Sequence, residues 1–178
     1  MHRLVHIGIL LSLITSASLA PLDSQTIDSL AFKDLQFRMV GPFRGGRSSA
    51  VTGFPANQDR WLMGTTGGGV WETTDNGISW QNISDGFFGG SIGAVRVADS
   101  DPNVIYVGQG STDIRGNTST GRGMWKSMDA GRTWTFIGLP EAGQIGRIEV
   151  HPGDHNLVYV AALGQPCGKN PERGIFRS

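Results

Sequence analysis

Thr73-Thr74-Asp75-Asn76-Gly77-Ile78-Ser79-Trp80 and Ser127-Met128-Asp129-Ala130-Gly131-Arg132-Thr133-Trp134 are two spellings of one phrase, Ser/Thr-x-Asp-x-Gly-x-Ser/Thr-Trp. They begin 54 positions apart, and Ser178 stands 51 positions beyond the second start. Each position has a turn chemistry. A short hairpin leaves backbone N–H groups without a ladder partner, and Asp75 or Asp129 can accept from them. The Thr73 or Ser127 hydroxyl can join in, and Gly77 and Gly131 can take the positive φ of a tight turn. Trp80 and Trp134 are then expected to bury a large ring between neighbouring sheets. Turn formation explains every residue of the phrase, so Asp75 and Asp129 read as structural rather than catalytic.

The agreement runs outward from the phrase. The stretch from Ile92 to Gly110, IGAVRVADSDPNVIYVGQG, matches IGRIEVHPGDHNLVYVAALG from Ile145, with a looser copy from Gly46. Each copy reads as four short strands, A to D, punctuated by turn residues. In the second copy the strands fall near Gly93–Val97, Val104–Val107, Met124–Ser127 and Trp134–Ile137. A lone four-stranded sheet cannot cover both of its faces, so the copies must stack. The expected fold is all-β, a β-propeller of four-stranded blades with about two complete blades and an incomplete third. Their spans are 46–84, 91–138 and 144–178.

These residues resemble the Asp-box, or BNR-repeat, propellers: sialidases, xyloglucanases and the N-terminal domain of sortilin-type proteins. The chain is most similar to exported bacterial proteins of the sortilin N-terminal, BNR-like repeat kind. The resemblance rests on GPFRGGR at 41–47, the paired phrases, and ALGQPCGKNPERGIFRS at 162–178. It implies that the Asp turns lie on one face, with the functional surface opposite. That surface is built from B–C loops (65–69, 108–123, 163–174) and D–A connections (84–91, 139–144). The middle loop is long for a hairpin, which points to binding. Its Asp113, Arg115 and Arg122 are candidate polar contacts. Arg47 and Arg147 each follow a Gly at the start of a strand A. They read as matching guanidinium groups at the mouth of a central channel, suited to a carboxylate or sulfate.

The resemblance also lets two activities be tested on the residues. Xyloglucanases of this repeat type carry a catalytic Asp in a Thr-Asp-x-Gly-Gly stretch. Here the run is Thr65-Thr66-Gly67-Gly68-Gly69, and a Thr66 hydroxyl cannot serve as a carboxylate in glycoside hydrolysis. Sialidases use an Arg in Phe/Tyr-Arg-Ile-Pro, whereas Phe43-Arg44 is followed by Gly45-Gly46. Asp85, Asp113, Glu141 and Glu172 remain as candidate carboxylates on the loop face. No zinc-site spacing, nucleophile–His–acid set or phosphate loop is present in the sequence, so no metal or cofactor is expected. The leading expectation is a non-catalytic module for an extracellular protein, peptide or carbohydrate. The alternative is a glycoside hydrolase whose carboxylates lie partly in further blades.

Composition narrows the setting. The 178 residues carry 27 glycines and a formal net charge of zero, which gives no electrostatic case for nucleic acid or an anionic membrane. Met1–Ala20 has a basic start, an apolar run and small residues near its end, the pattern of a secretory signal peptide. Cleavage is chemically easier after Ala17 than after Ala20, because Pro21 would follow the latter cut. The protein is therefore expected to be secreted, periplasmic or at the cell surface, and not embedded in a membrane. Cys167 is the only cysteine, which excludes a disulfide framework within the chain. A linker at 21–34 precedes a D-type strand at 35–41, where Phe37-Arg38-Met39-Val40-Gly41 parallels Trp134-Thr135-Phe136-Ile137-Gly138. Three blades fall below the roughly four to eight of closed propellers. The sequence thus reads as the front part of a longer propeller, expected to expose a strand edge and an uncovered sheet face.

Overall fold

A computed structural model describes Lys33 and residues 46–113 and 115–178. The leader, the linker and the strand expected at 35–41 lie outside the described residues, as does Phe43-Arg44-Gly45. The described part is all-β. Its first sheet comprises β1 (Ser48–Phe54), β2 (Asn57–Thr65), β3 (Val70–Thr73) and β4 (Gln81–Asn82). The second comprises β5 (Ile92–Val97), β6 (Ile105–Gln109), β7 (Met124–Ser127) and β8 (Thr135–Gly138). The third comprises β9 (Ile145–His151), β10 (Asp154–Ala162) and β11 (Gly174–Arg177). Every pairing between successive strands is antiparallel. Two four-stranded blades and a third sheet of three described strands form part of a β-propeller.

The copies share backbone detail as well as pattern. Each first strand has a register shift near its start, between Ser48 and Ala50, Ile92 and Ala94, and opposite Ala161/Ala162 in β10. A bulge of this kind bends and re-aims a strand end. Just before each shifted strand, a carbonyl accepts from the residue after the second strand. These bonds are Thr66 N to Arg47 O, Gly110 N to Ser91 O and Leu163 N to Gln144 O, at 2.7–2.8 Å. Arg47 therefore corresponds to Ser91 and Gln144. Arg147 pairs with Ala161 as Ala94 pairs with Gly108 and Ala50 with Gly64. The match expected between Arg47 and Arg147 is thus incorrect. A Gly precedes each arginine, but Gly146 sits at the bulge whereas Gly46 lies outside the strand, three positions earlier in register.

Apolar residues on alternating strand positions make two cores, one at each junction between sheets. Phe54, Leu62 and Val70 of the first sheet meet Ile92, Val95, Ile105, Val107 and Trp134 of the second. Tyr106 and Met124 of the second sheet meet Ile145, Ile148, Val158 and Val160 of the third. Burying one such aliphatic side chain stabilises by about 1.5–3 kcal/mol, so the junctions hold the sheets together. Polar ties cross them too. Arg60 of β2 pairs with Glu72 at 2.6 Å, lies 3.9 Å over Phe54, and donates to the Ala130 carbonyl of the second unit.

The two tryptophans of the repeated phrase differ. Trp134 is 6% exposed and its indole N–H donates across the junction to the Ile83 carbonyl at 2.8 Å. Trp80 is only half-buried and donates locally to Gly77 at 3.2 Å. It lies with Val51 (67% exposed) and Trp61 on the outer face of the first sheet. The expectation that both rings pack between sheets holds for Trp134. It fails for Trp80, whose sheet has no described neighbour on that side.

Candidate functional site

The Asp turns come first, because they decide which carboxylates are occupied by structure. In the first turn the Thr73 hydroxyl donates to the Asp75 carboxylate at 2.7 Å and accepts from Gly77 N at 2.8 Å. Asp75 also accepts from Ser79 N at 2.9 Å and from the Ser79 hydroxyl at 2.6 Å. Ser127, Asp129, Gly131 and Thr133 repeat the set at 2.6–2.8 Å. Gly77 and Gly131 have φ of 91° and 90°, and Asn76 and Ala130 before them are also left-handed, at 57° and 62°. The Ser79 hydroxyl, then the Ser79 amide, hold the Asp75 carboxyl at a pKa of about 2. The Thr133 hydroxyl and amide do the same for Asp129, also to about 2. A carboxyl kept this acidic is a hydrogen-bond hub and a poor general acid near neutrality.

The B–C loops and D–A connections interlock into one surface. Gly69 N donates to Gly90 O at 2.9 Å, joining the first loop to the first connection. Gly121 N donates to Gly143 O at 2.6 Å, joining the long loop to the second connection. Close approach here requires glycine. A Cβ on Gly121 would run into the Gln109 and Gly110 backbone, and one on Gly93 into the Ile145 and Gly110 carbonyls. The long loop is further closed by Ser111 N to Ser119 O at 2.9 Å.

The candidate side chains fall into separate places. Arg115 is half-buried, 3.9 Å from the Asp113 carboxylate and 3.3 Å from the Ser111 hydroxyl, so the loop carries an internal ion pair. Arg122 is exposed, and its backbone N–H donates to the Gln109 side chain at 3.3 Å. Glu141 and Glu172 are brought together: the Glu172 carboxylate accepts from Glu141 N at 2.7 Å, and Asn170 donates to the Glu141 carbonyl. Asp85 joins neither group. It is exposed and lines a cleft with Glu72, Gln81 and Arg132. Cys167 is exposed on the third B–C loop.

Arg147 belongs to a different feature. The first strands of the three sheets wall a cleft of about 230 Å³ that runs past Ala50, Ala94, Arg96, Arg147 and Glu149. Arg147 is already paired there with Glu149 at 2.6 Å, two residues along the same strand. Arg47 is exposed before β1 and does not line this cleft.

Two residues that organise the surface were invisible to the repeat-based reading. Gln109 is buried and clamps three segments, donating to Gly89 O at 2.6 Å and accepting from Arg122 N and the Trp125 indole. Arg173 braces the third loop, donating to the carbonyls of Leu163 at 2.8 Å, Gly168 at 3.1 Å and Gln165. The available signal was departure from the repeat: Gln109 stands where the other copies have Thr65 and Ala162.

No protein-family model matches the chain, and no curated protein matches it. Solved structures do. The chain is similar to a GH74 enzyme of Niastella koreensis, with 23% identity over 64% of this chain and 17% of that one, at a TM-score of 0.50. It is also similar to the GH74 xyloglucanase from Xanthomonas campestris, with 18% identity over 71% of this chain and 20% of that one, at a TM-score of 0.52. The chain thus spans about a fifth of the length of these enzymes. What the likeness shows is the fold: a β-propeller.

Proposed function

We propose that the chain is part of an exported propeller of the Asp-box, sortilin N-terminal-like kind. Its loop face holds an extracellular protein, peptide or carbohydrate without chemical turnover. The observation that carries the reading is the state of the acidic residues. Asp75 and Asp129 are committed to turns, Glu172 to the Glu141 backbone, and Asp113 to the Arg115 guanidinium, which leaves only the exposed Asp85 and Glu141 of the candidate carboxylates uncommitted, and these lie on different loops. What the loop face offers is a long loop closed by Ser111 N to Ser119 O, which carries the half-buried Arg115 and the exposed Arg122. Loops fixed in advance lose little entropy on binding.

The test is a binding screen of the full chain against immobilised polysaccharides and peptides, followed by Arg115→Ala and Arg122→Ala. The reading expects retention of a ligand class that both variants weaken. Retention indifferent to both would count against it.

A second reading is glycoside hydrolysis, favoured by one observation: the Glu172 carboxylate accepts from the Glu141 backbone N–H, which places two acidic residues where the second connection and third loop join. The solved structures named above are GH74 enzymes, one of them a xyloglucanase. Release of reducing sugar from xyloglucan, lost in Glu172→Gln, would replace the binding reading with this one.

A further inference from the structure

Asp85 lines a cleft of about 320 Å³ beside β4, the edge strand of the first sheet. The second Asp turn forms the other wall through Ala130, Gly131 and Arg132. Both sheets that flank the cleft have all four strands described, so its shape is set by packing within the described residues. Its volume falls within the roughly 300–1,000 Å³ of small-ligand sites.

The cleft is fixed before anything enters it. Arg60 pairs with Glu72 at 2.6 Å and donates to the Ala130 carbonyl at 3.0 Å, which ties the two walls and neutralises Glu72. The Asn82 side chain accepts from Ser84 N and Asp85 N at 2.9 Å and donates to Gly68 O at 2.8 Å, setting the turn after β4. Phe88 is buried, stacked 4.8 Å from Trp125 and edge-on 5.3 Å from Trp134, and anchors the end of that turn. Its neighbour Phe87 is 42% exposed and lines the cleft. Gln81, Asp85 and Arg132 are exposed there too. Among the described residues Asp85 and Arg132 form no ion pair with each other.

We propose that this cleft binds an uncharged oligosaccharide, one pyranose of which packs its C–H face on Phe87 and offers its hydroxyls to Asp85, Gln81 and Arg132. A charged ligand drawn by Asp85 is repelled by Arg132, and the reverse holds for the opposite charge. A hydroxyl suits both, because it donates to a carboxylate and accepts from a guanidinium. The Gln81 amide can do either. C–H groups carry slight positive charge and match the negative face of an aromatic ring. An added peptide strand fits this edge less well. The Ile83 carbonyl already accepts the Trp134 indole at 2.8 Å, and the Asn82 side chain is engaged in its own turn. The cleft shares the first connection with the loop face but uses neither Arg115 nor Arg122, so it stands apart from the function proposed for the long loop.

The test is calorimetric titration of the full chain with cellohexaose, mannohexaose and xylohexaose, and with hexagalacturonic acid as the charged counterpart. Saturable binding of at least one neutral hexasaccharide is expected, about tenfold or more tighter than hexagalacturonic acid. Phe87→Ala weakens it at least about tenfold and Phe87→Tyr retains it, whereas Asp85→Asn and Arg132→Ala each weaken it about two- to tenfold. All three positions are exposed, and circular dichroism checks that each variant keeps its fold. Absent binding of all three neutral hexasaccharides overturns the proposal, as does binding that none of these variants weakens. So does preference for hexagalacturonic acid, which makes this an anion site, or equal binding of tetraglycine, which makes it a peptide site. Binding lost in Arg115→Ala but kept in Phe87→Ala overturns it too, and leaves the loop-face reading standing.

Discussion

Trp80 and Trp134 are equivalent in the repeat but not in their surroundings, and removing each should separate turn chemistry from packing. A tryptophan side chain buries about 150–250 Å² when fully enclosed. At about 25 cal/mol per Å² that is roughly 4–6 kcal/mol, in line with the about 3–5 kcal/mol typical of Trp→Ala in cores. Trp134→Ala should therefore cost about 3–5 kcal/mol, a large share of the about 5–15 kcal/mol that holds a domain together. Trp80→Ala removes a half-exposed ring and should cost about 1 kcal/mol or less. Trp134→Phe keeps most of the ring but strands the Ile83 carbonyl, at about 1–2 kcal/mol. Urea unfolding followed by far-UV circular dichroism reads all three without depending on indole fluorescence. If Trp80→Ala and Trp134→Ala lose the same stability within about 0.5 kcal/mol, the assignment of Trp134 to the junction between sheets is wrong.

The turn carboxyls predict an acid transition. Their folded pKa of about 2 lies below the ordinary 3.8, so their stabilisation is full above pH 3.8 and disappears as pH falls through 2. Thermal unfolding at pH 5, 3 and 2 should show a falling midpoint, with a shallower fall in an Asp75→Asn, Asp129→Asn double variant. Gly93→Ala drives a methyl into the Ile145 and Gly110 carbonyls and should cost at least about 1–3 kcal/mol. Gly116→Ala, with open space around it, should shift the urea midpoint little. Ala130 holds a left-handed φ of 62° without the side chain that tolerates it, so Ala130→Asn, matching Asn76, should raise thermal stability by about 0.5–1 kcal/mol.

Much of the fold was legible because repetition exposes it. Residues that recur with one hydrogen-bond task, such as Thr73/Ser127 and Asp75/Asp129, can be read from spacing alone, and their turns adopt that chemistry. Register was harder. Arg47 and Arg147 share a preceding glycine but differ by three positions, because a bulge changes which residue faces which partner without leaving a fixed sequence mark. The loop surface was the least legible. Gln109, Arg173 and the Glu141–Glu172 meeting are long-range contacts made once each, so no periodicity announces them. Burial also depends on neighbours: nothing in the spelling of the phrase distinguishes Trp80, at an outer face, from Trp134 at a junction.

The indole bond from Trp134 back to Ile83 gives the array a direction. The second unit's last strand is checked against a sheet already made, since the acceptor lies 51 residues earlier in the chain. Synthesis runs the same way, N-terminal segments emerging first. A newly emerged tryptophan thus meets a finished template, and growth resembles laying courses of brick, in which an error in one course is inherited by the next.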